Sequence, residues 1–158
     1  MPKSALFVCL GNICRSPIAE ATFKQLVTEK GQASDWIVDS AATSTYQIGE
    51  PPDSRGQSCM RTHNIFRHVE KHRGRQITKD DYQKFDYIFG MDDNNMSDLK
   101  QMAPKGTCKE KLLKLGDYDT DKTYGTTIQD PYYSGNDKEF ERVYQQVKRC
   151  CLGFLDSI

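Results

Sequence analysis

Short apolar runs alternate with stretches of helical periodicity along this chain. An apolar run at residues 6–9 precedes apolar positions at helical spacing over residues 17–29, and a second apolar run occupies residues 36–42. Short apolar runs predict buried strands, and apolar residues that recur every three or four positions predict a helix with one face in the core. A strand, a helix and a strand in this order predict a parallel pair joined by a right-handed crossover.

The same alternation continues to the end of the chain. We predict a loop over residues 43–52, a helix over 53–63, strands at 86–91 and 111–115 with a helix between them, and a long final helix over 137–154. This order favours an α/β fold with an open, mostly parallel sheet. In such sheets ligands bind beyond the carboxyl ends of the strands, and Cys9 stands at the end of the first predicted strand.

The junction after the first strand carries the main chemical signal, because it reads Cys-Leu-Gly-Asn-Ile-Cys-Arg-Ser-Pro from Cys9 to Pro17. Backbone N–H groups in such a loop, together with the dipole of the helix that follows, form an anion site. Arg15 adds a planar fork that can hold two phosphate oxygens. The Cys9 thiol faces this positive field and should ionise easily. The junction therefore predicts thiolate attack on a bound phosphate, whereas the alternative is a buried apolar Cys9 beside a surface Arg15.

Five residues separate Cys9 from Arg15, and the longer string Val-Cys-Leu-Gly-Asn-Ile-Cys-Arg-Ser-Pro-Ile-Ala-Glu from Val8 to Glu20 is more specific than this spacing alone. The string resembles the low-molecular-weight protein tyrosine phosphatase family, and the resemblance extends over residues 5–154. It implies a single three-layer domain over residues 1–158, with a four-stranded parallel sheet flanked by helices, phosphatase I-like. It also implies a phosphocysteine intermediate, no metal, no cofactor and monomeric action.

The chemistry assigns Cys9 as nucleophile and Arg15 as the phosphate-binding side chain. The rest of the predicted phosphate-binding loop is Leu10, Gly11, Asn12, Ile13, Cys14 and Ser16. Ser16 can donate to the Cys9 sulfur, and Asn12 can shape the loop through hydrogen bonds, with Ser40 and His68 as candidate partners. The histidine and a supporting role for Asp92 follow from the resemblance, since Asp92 on its own would be a helix N-cap.

The general acid is expected at Asp130, in the run Gln-Asp-Pro-Tyr-Tyr. An Asp-Pro pair also suits a simple turn ahead of the last helix, but the run matches the acid loop of the resembled family. Tyr132 and Tyr133 follow directly and, with Tyr46 in the loop over 43–52, are expected to form pocket walls. For Tyr46 the alternative is an exposed loop residue. Ser134 is an extra residue relative to the family pattern and should leave Asp130 in place.

The segment over residues 67–75 is basic and departs from the family pattern, with residues 71–74 as the expected insertion. It is either a solvated surface loop or a patch that attracts acidic phosphoproteins. In the chain as a whole, 22 basic and 22 acidic residues cancel, which argues against a general nucleic-acid or membrane binder. With no apolar run long enough for a bilayer and no signal peptide, we expect a cytoplasmic protein.

The six cysteines are expected to be free thiols of a reducing cytosol. The chain has no Cys-x2-Cys pair, and its histidines lack ligand spacing, so no metal is predicted. Cys14 is expected to trap an oxidised Cys9 as a reversible disulfide. Cys150 and Cys151 lie on the apolar face of the last predicted helix and should be structural.

Other functions remain as alternatives. Arsenate reduction uses a similar loop but needs further cysteines, and none lies between Cys59 and Cys108. Relatives that act on phosphoarginine are expected to carry threonine where this chain has Ile13. A non-catalytic phosphotyrosine-binding module would not need Asp130, and a zinc-binding structural protein is the most distant alternative. We therefore expect phosphotyrosine proteins as substrates and inorganic phosphate or other oxyanions as inhibitors.

Overall fold

A computed structural model describes residues 1–134 and 136–158 of the chain. Four parallel strands form one sheet in the order β2-β1-β3-β4: β1 is Lys3–Cys9, β2 is Trp36–Ala42, β3 is Tyr87–Gly90 and β4 is Leu112–Lys114. The predicted four-stranded parallel sheet is confirmed. The first strand begins earlier than predicted because it pairs with β2 from Lys3 onward.

Within the described residues, five α-helices connect and cover the strands: α1 is Arg15–Glu29, α2 is Ser54–Thr62, α3 is Lys79–Lys84, α4 is Asp93–Met102 and α5 is Asp137–Ser157. The sequence pattern predicted all of them except α3. This helix has only six residues and is held by a capping box between Thr78 and Asp81 rather than by a long apolar face. No helix in the described part of the chain is long and apolar enough to cross a membrane.

Two apolar cores lie on the two faces of the sheet. Phe7 belongs to the core that contains residues of α1 and α5, whereas Leu6 and Val8 belong to the core beside α3 and α4. This division follows from the alternation of side chains along β1. The buried Cys150 and Cys151 lie in the α1/α5 core, as their helical spacing predicted. The result is the predicted three-layer α/β arrangement.

The strand order fixes the position of the site. Because β1 lies between β2 and β3, the connections that leave these strands diverge, and a crevice forms beyond the carboxyl end of β1. Cys9 is the last residue of β1, and Arg15 is the first residue of α1. The connection between them, residues 10–14, therefore lies in this crevice.

Candidate active site

The loop after β1 turns its carbonyl groups outward. Three of them accept hydrogen bonds from neighbouring segments: Cys9 O from the Thr43 N–H (3.0 Å), Leu10 O from Ser44 (3.1 Å) and Ile13 O from Asp53 (2.8 Å). In a trans peptide the following N–H points away from the carbonyl, so the N–H groups of residues 10, 11 and 14 point to the opposite side, into the loop. With the N-terminus of α1, they form a concave anion-binding surface.

The Cys9 sulfur receives hydrogen bonds at the base of this loop. The Asn12 N–H donates to Cys9 Sγ at 3.3 Å, and Ser16 Oγ lies 3.1 Å from the same sulfur. Since Asn12 Nδ2 donates to Ser16 Oγ at 2.8 Å, the Ser16 hydroxyl keeps its own hydrogen for Cys9. The expected contact between Ser16 and Cys9 is present.

Asn12 is the central polar residue of the loop. It is fully buried and has a φ angle of 60°, a left-handed conformation that asparagine tolerates better than most residues. Its Nδ2 also donates to Ser40 Oγ at 3.0 Å, and Ser40 Oγ in turn donates to Glu20 Oε1 at 2.6 Å. Both Asn12 amide hydrogens are therefore used, one on Ser16 and one on Ser40, which fixes the side chain.

The imidazole beside Asn12 belongs to His72, so the prediction of His68 is wrong. His72 Nε2 lies 2.9 Å from Asn12 Oδ1, and the Arg75 N–H donates to the same oxygen at 3.1 Å. His68 instead contacts Gln25 Oε1 at 2.9 Å. The error came from treating residues 71–74 as the insertion, although the backbone of this stretch approaches the phosphate loop. The path of the backbone after Val69 determines which histidine contacts Asn12, and that path could not be predicted from the sequence.

Arg15 is a buried guanidinium, 2% exposed, that is held on one side only. Its Nη1 donates to Asp92 Oδ2 at 2.7 Å and to Ile128 O at 2.9 Å, and its Nη2 lies 3.6 Å from Asp130 Oδ2. Nε has no hydrogen-bond partner among the described residues. Burial opposes the charge, but Cys9, Asp92 and Asp130 outweigh it and raise the pKa of Arg15. The edge formed by Nε and Nη2 is therefore available for a two-oxygen contact with an oxyanion.

Asp92 has both of the functions considered for it. Its Oδ1 accepts from the Asn95 N–H at 2.7 Å and caps α4, while its Oδ2 binds Arg15. One carboxylate thus joins the end of β3 to the guanidinium in the phosphate loop. The N-cap role could be read from the sequence, but the contact with Arg15 depends on β3 lying next to β1.

Asp130 lies across the cleft from the loop. Its Oδ1 accepts from the Tyr132 N–H at 3.1 Å, a local turn that Pro131 permits. Cys9, Arg15 and Asp130 line one cleft together with the other predicted wall residues, which are Tyr46, Tyr132 and Tyr133. Tyr46 and Tyr133 are 77% and 83% exposed, so their rings flank the mouth of the cleft. Ser134 forms a turn by donating to Pro131 O at 2.7 Å; its junction with residue 135 lies outside the described residues.

Arg55 supports the acid side of the cleft and was not predicted from the sequence. Its Nε and Nη2 each donate to Asp53 at 2.9 Å, and Nη2 also donates to Tyr132 O at 3.1 Å. The hydrogen bonds from Arg55 lower the pKa of the Asp53 carboxyl. Asp53 caps α2, and its N–H binds the phosphate loop at Ile13 O. The Asp-x-Arg spacing at the start of α2 is visible in the sequence. The hydrogen bond from Arg55 to Tyr132 O could not be predicted from it.

The segment that carries Tyr46 is fastened to the segment that carries His72. The Gly49 N–H donates to Gly74 O at 2.9 Å, and the Gly74 N–H donates to Glu50 O at 2.8 Å. A Cβ on Gly74 would lie 2.4 Å from Gln47 O, so only glycine allows this approach. Gln47 also lines the cleft and was not predicted. The two loops therefore hold one wall of the pocket together.

The buried thiols other than Cys9 have pKa values that burial raises. Burial raises the pKa of Cys14 and, with Glu141, raises the pKa of Cys59 to about 12. Burial likewise raises the pKa of Cys150 to about 12 and that of Cys151 well above its usual value. A thiol with a raised pKa remains protonated at neutral pH and reacts slowly. These four cysteines therefore differ chemically from a thiol that accepts hydrogen bonds at an anion site.

A buried thiol and arginine in one anion-binding loop, beyond the carboxyl end of the first strand of a parallel sheet, form the active site of a cysteine-dependent phosphatase. The chain belongs to the low molecular weight phosphotyrosine protein phosphatase family, whose model matches residues 4–158. It is 57% identical to the human low molecular weight phosphotyrosine protein phosphatase over 156 residues, which cover 98% of this chain and 95% of the human protein.

Solved structures are also similar to the chain. A protein tyrosine phosphatase from Entamoeba histolytica, solved with Hepes in its active site, superposes with a TM-score of 0.90 at 35% identity, over 98% of this chain and 96% of that one. A Drosophila arginine phosphatase superposes with a TM-score of 0.89 at 37% identity, over 97% of this chain and 96% of that one. The predicted family and fold class are confirmed.

Proposed function

We propose that the chain hydrolyses phosphotyrosine with Cys9 as nucleophile, Arg15 as phosphate ligand and Asp130 as general acid and base. The observation that carries this proposal is the buried Arg15 guanidinium, whose Nε–Nη2 edge has no full hydrogen bond among the described residues. It lines the same cleft as the Cys9 sulfur and the Asp130 carboxyl. Such an edge binds two oxygens of a phosphate, and the loop N–H groups bind the rest.

In the first step the Cys9 thiolate attacks phosphorus, a sulfur–phosphorus bond forms and the bond to the phenolic oxygen breaks. Asp130 in its acid form gives its proton to the departing oxygen. Arg15 and the loop N–H groups stabilise the charge that develops on the three phosphoryl oxygens. The products of this step are a phenol and phosphocysteine.

In the second step water attacks the phosphocysteine. The Asp130 carboxylate accepts the proton of the attacking water, and the sulfur–phosphorus bond breaks to release inorganic phosphate. The Ser16 hydroxyl donates to the departing sulfur, which returns as thiolate. Asn12 keeps this hydroxyl oriented, because its side-chain Nδ2 donates a hydrogen bond to the Ser16 oxygen and leaves the hydroxyl hydrogen for the sulfur. Asn12 is in turn held by Ser40 and His72.

The walls of the cleft favour an aryl phosphate. Tyr46, Tyr132 and Tyr133 line the cleft, and their aromatic rings can pack against a phenyl group. Ile13 occupies the loop position where relatives that act on phosphoarginine are expected to carry threonine, and this favours phosphotyrosine. The substrates would be phosphotyrosine proteins, while inorganic phosphate and other oxyanions would inhibit by occupying the loop.

We further propose that the chain acts as a monomeric single domain over residues 1–158 in the cytoplasm, without nucleic acid, membrane or cofactor. The zero net charge supports the absence of a polyanionic partner. Cys14 lies in the same loop as Cys9 and would form a disulfide with it after oxidation, which would make inactivation by peroxide reversible. Light scattering at assay concentration tests the monomer directly.

The direct test is steady-state hydrolysis of p-nitrophenyl phosphate and of a phosphotyrosine peptide, with chelator present, by the wild type and Cys9→Ser. Turnover that is lost in Cys9→Ser supports the thiol mechanism. A wild type that binds phosphotyrosine but is inactive under reducing conditions would indicate a binding module, and activity that survives in Cys9→Ser would reject the assignment. A phosphoarginine peptide should be hydrolysed more slowly than the phosphotyrosine peptide.

A further inference from the structure

A second cluster of metal-ligating side chains lies between α2 and α5, away from the roles assigned above. Cys59 and His63 stand four residues apart at the end of α2 and therefore face the same side. Glu141, in the second turn of α5, meets them from the opposite side. One ligand atom from each residue lies within 4.8 Å of the other two.

The distances are close to those that a bound cation requires. His63 Nε2 lies 2.8 Å from Glu141 Oε1, and Cys59 Sγ lies 3.7 Å from the same oxygen. Tetrahedral zinc with bonds of about 2.1 Å holds its ligand atoms about 3.4 Å apart. The three ligand atoms all lie within 4.8 Å of one another, so modest side-chain rotations are needed to reach that spacing.

The orientation of two of the three ligands is already fixed. The His63 ring stacks on the Tyr144 ring, with centroids 3.8 Å apart and an interplanar angle of 18°. Gln145 Nε2 donates to Glu141 Oε2 at 2.7 Å, and His63 Nε2 lies 3.1 Å from this oxygen as well as 2.8 Å from Oε1, the oxygen that also faces Cys59. Outer hydrogen bonds and packing of this kind orient ligands in established metal sites.

We propose that Cys59, His63 and Glu141 bind a divalent cation of the zinc type and thereby join α2 to α5. Sulfur, imidazole nitrogen and carboxylate oxygen form a donor set that suits Zn²⁺ and the similar Co²⁺. On binding, the Cys59 S–H proton is released to solvent, His63 presents an unprotonated Nε2, and the thiolate and carboxylate neutralise the cation charge.

The site has room for a fourth ligand. The side chains of His63 and Glu141 are 24% and 43% exposed, and a groove that reaches Cys59 and Glu141 is also lined by Ser58 and Thr62. A water molecule can therefore complete the tetrahedron. None of the three ligands lines the phosphate cleft, so the cation would act on the stability of the helix pair and not in phosphate transfer.

A second group of possible ligands is less suitable. Glu20, Asp39 and His72 also lie close together, but His72 Nε2 contacts Asn12 and Asp39 pairs with Arg75 at 3.0 Å. These donors are engaged in the network that supports the phosphate loop. A cation there would have to break that network, whereas a cation at the Cys59 cluster would replace only the His63–Glu141 contact and the thiol hydrogen bonds of Cys59 to Glu141 and Phe140 O.

The test is titration of the Cys9→Ser protein with Zn²⁺ by calorimetry and with Co²⁺ by absorption spectroscopy. Cys9→Ser removes the catalytic thiol as a competing ligand. In this background we expect one equivalent of Zn²⁺ to bind, the melting temperature to rise, and Co²⁺ to give a sulfur-to-metal charge-transfer band. Adding Cys59→Ser should abolish the band and weaken Zn²⁺ binding at least ~10-fold.

Two further variants make the result specific. Glu141→Ala, a change at a half-exposed side chain, should also weaken binding at least ~10-fold and serves if Cys59→Ser does not fold. Cys108→Ser is the matched control, because Cys108 is an exposed thiol 3.0 Å from Glu110, and it should leave the band and the affinity unchanged. Absence of stoichiometric binding in Cys9→Ser, or a band and an affinity that persist without Cys59 or Glu141, would overturn the proposal.

Discussion

The two sides of the cleft are built differently. The nucleophile side is one contiguous stretch from Cys9 to Ser16, buried except for the half-buried Leu10 and Gly11, in which Asn12 and Arg15 are held by hydrogen bonds. The acid side is assembled from distant loops, and its rings at Tyr46 and Tyr133 are largely exposed. Asp130 itself makes one local hydrogen bond, to the Tyr132 N–H.

This difference corresponds to two requirements of the reaction. Charge that develops on the phosphoryl oxygens is stabilised best by donors that are already in position, which agrees with the many hydrogen bonds that hold the loop. The leaving group differs from one phosphoprotein to the next, so the walls that meet it can remain exposed. Changes in the phosphate loop and at Asp130 should therefore affect kcat strongly, whereas changes in the tyrosine-bearing walls should affect KM more.

Arg15→Lys should have the largest effect, because lysine cannot keep the contacts with Asp92 and Ile128 O and also present two donors to phosphate. We expect kcat/KM for p-nitrophenyl phosphate to fall roughly 10³-fold or more. Steady-state kinetics with a circular-dichroism control for folding measure this. A loss below tenfold would contradict a bidentate role for Arg15.

Asp130→Asn comes next, because it removes the proton for the leaving group but keeps the phosphate loop intact. We expect kcat to fall ~100- to 10,000-fold on p-nitrophenyl phosphate, while the inhibition constant of inorganic phosphate changes little. The test measures kcat and the inhibition constant of inorganic phosphate for the variant and for the wild type. Equal rates for the variant and the wild type would exclude Asp130 as the acid.

His72→Ala and His68→Ala form a matched pair on one segment. His72 contacts Asn12 and His68 contacts Gln25, so only the first should disturb the loop. The Arg75 N–H still donates to Asn12, so we expect kcat to fall only about three- to tenfold in His72→Ala, roughly one hydrogen bond. His68→Ala should stay within about twofold. A larger loss in His68→Ala would restore the prediction made from the sequence.

Gly74→Ala tests the wall side, because the added Cβ would collide with Gln47 O. The displaced segment carries Tyr46, so KM for the phosphotyrosine peptide should rise about three- to tenfold with a smaller change in kcat. Gly56→Ala is the control, since its nearest contact would be an ordinary 3.6 Å to Phe140. An equal effect of the two substitutions would show that the loop contact does not shape the pocket.

Asp81→Asn should have the smallest effect, on stability alone. Burial raises the pKa of Asp81, but hydrogen bonds from Arg75 and Thr78 outweigh it and lower this pKa below its usual value. The stabilisation that the Asp81 carboxylate adds to the free energy of unfolding is therefore fully present above pH ~4. It is lost as the pH falls through the folded-state pKa of Asp81. Denaturant unfolding at pH 7 should show a loss of about 1–3 kcal/mol, and this loss should shrink as the pH falls through the folded-state pKa of Asp81. Asp80→Asn, an exposed neighbour, should change little.

The parts of the molecule that were predicted correctly share one property, which is that their information is local. The strands and the long helices each show their pattern within a short window. The predictions for the loop from Cys9 to Ser16 and for Asp130 also rest on short runs of sequence. The short helix α3 was missed because its capping box stabilises six residues that have little apolar periodicity.

The contacts that could not be predicted join segments far apart in the chain. His72 reaches Asn12 across 60 residues, Arg15 reaches Ile128 across 113, and Glu141 reaches His63 across 78. Which of two nearby histidines turns inward depends on the path of a loop, and loops carry no periodic pattern. The Cys59–His63 spacing becomes meaningful only once both residues are known to share a helix and to face α5.

The most direct test of the account is to identify the covalent intermediate. The wild type should be mixed rapidly with p-nitrophenyl phosphate, quenched, digested and mapped by mass spectrometry. We predict a phosphoryl group on Cys9 and none on Cys14, and a larger trapped amount in Ser16→Ala, because the sulfur then leaves without a hydrogen-bond donor. A phosphoryl group on another residue, or full turnover with no phosphoenzyme in either protein, would contradict the mechanism.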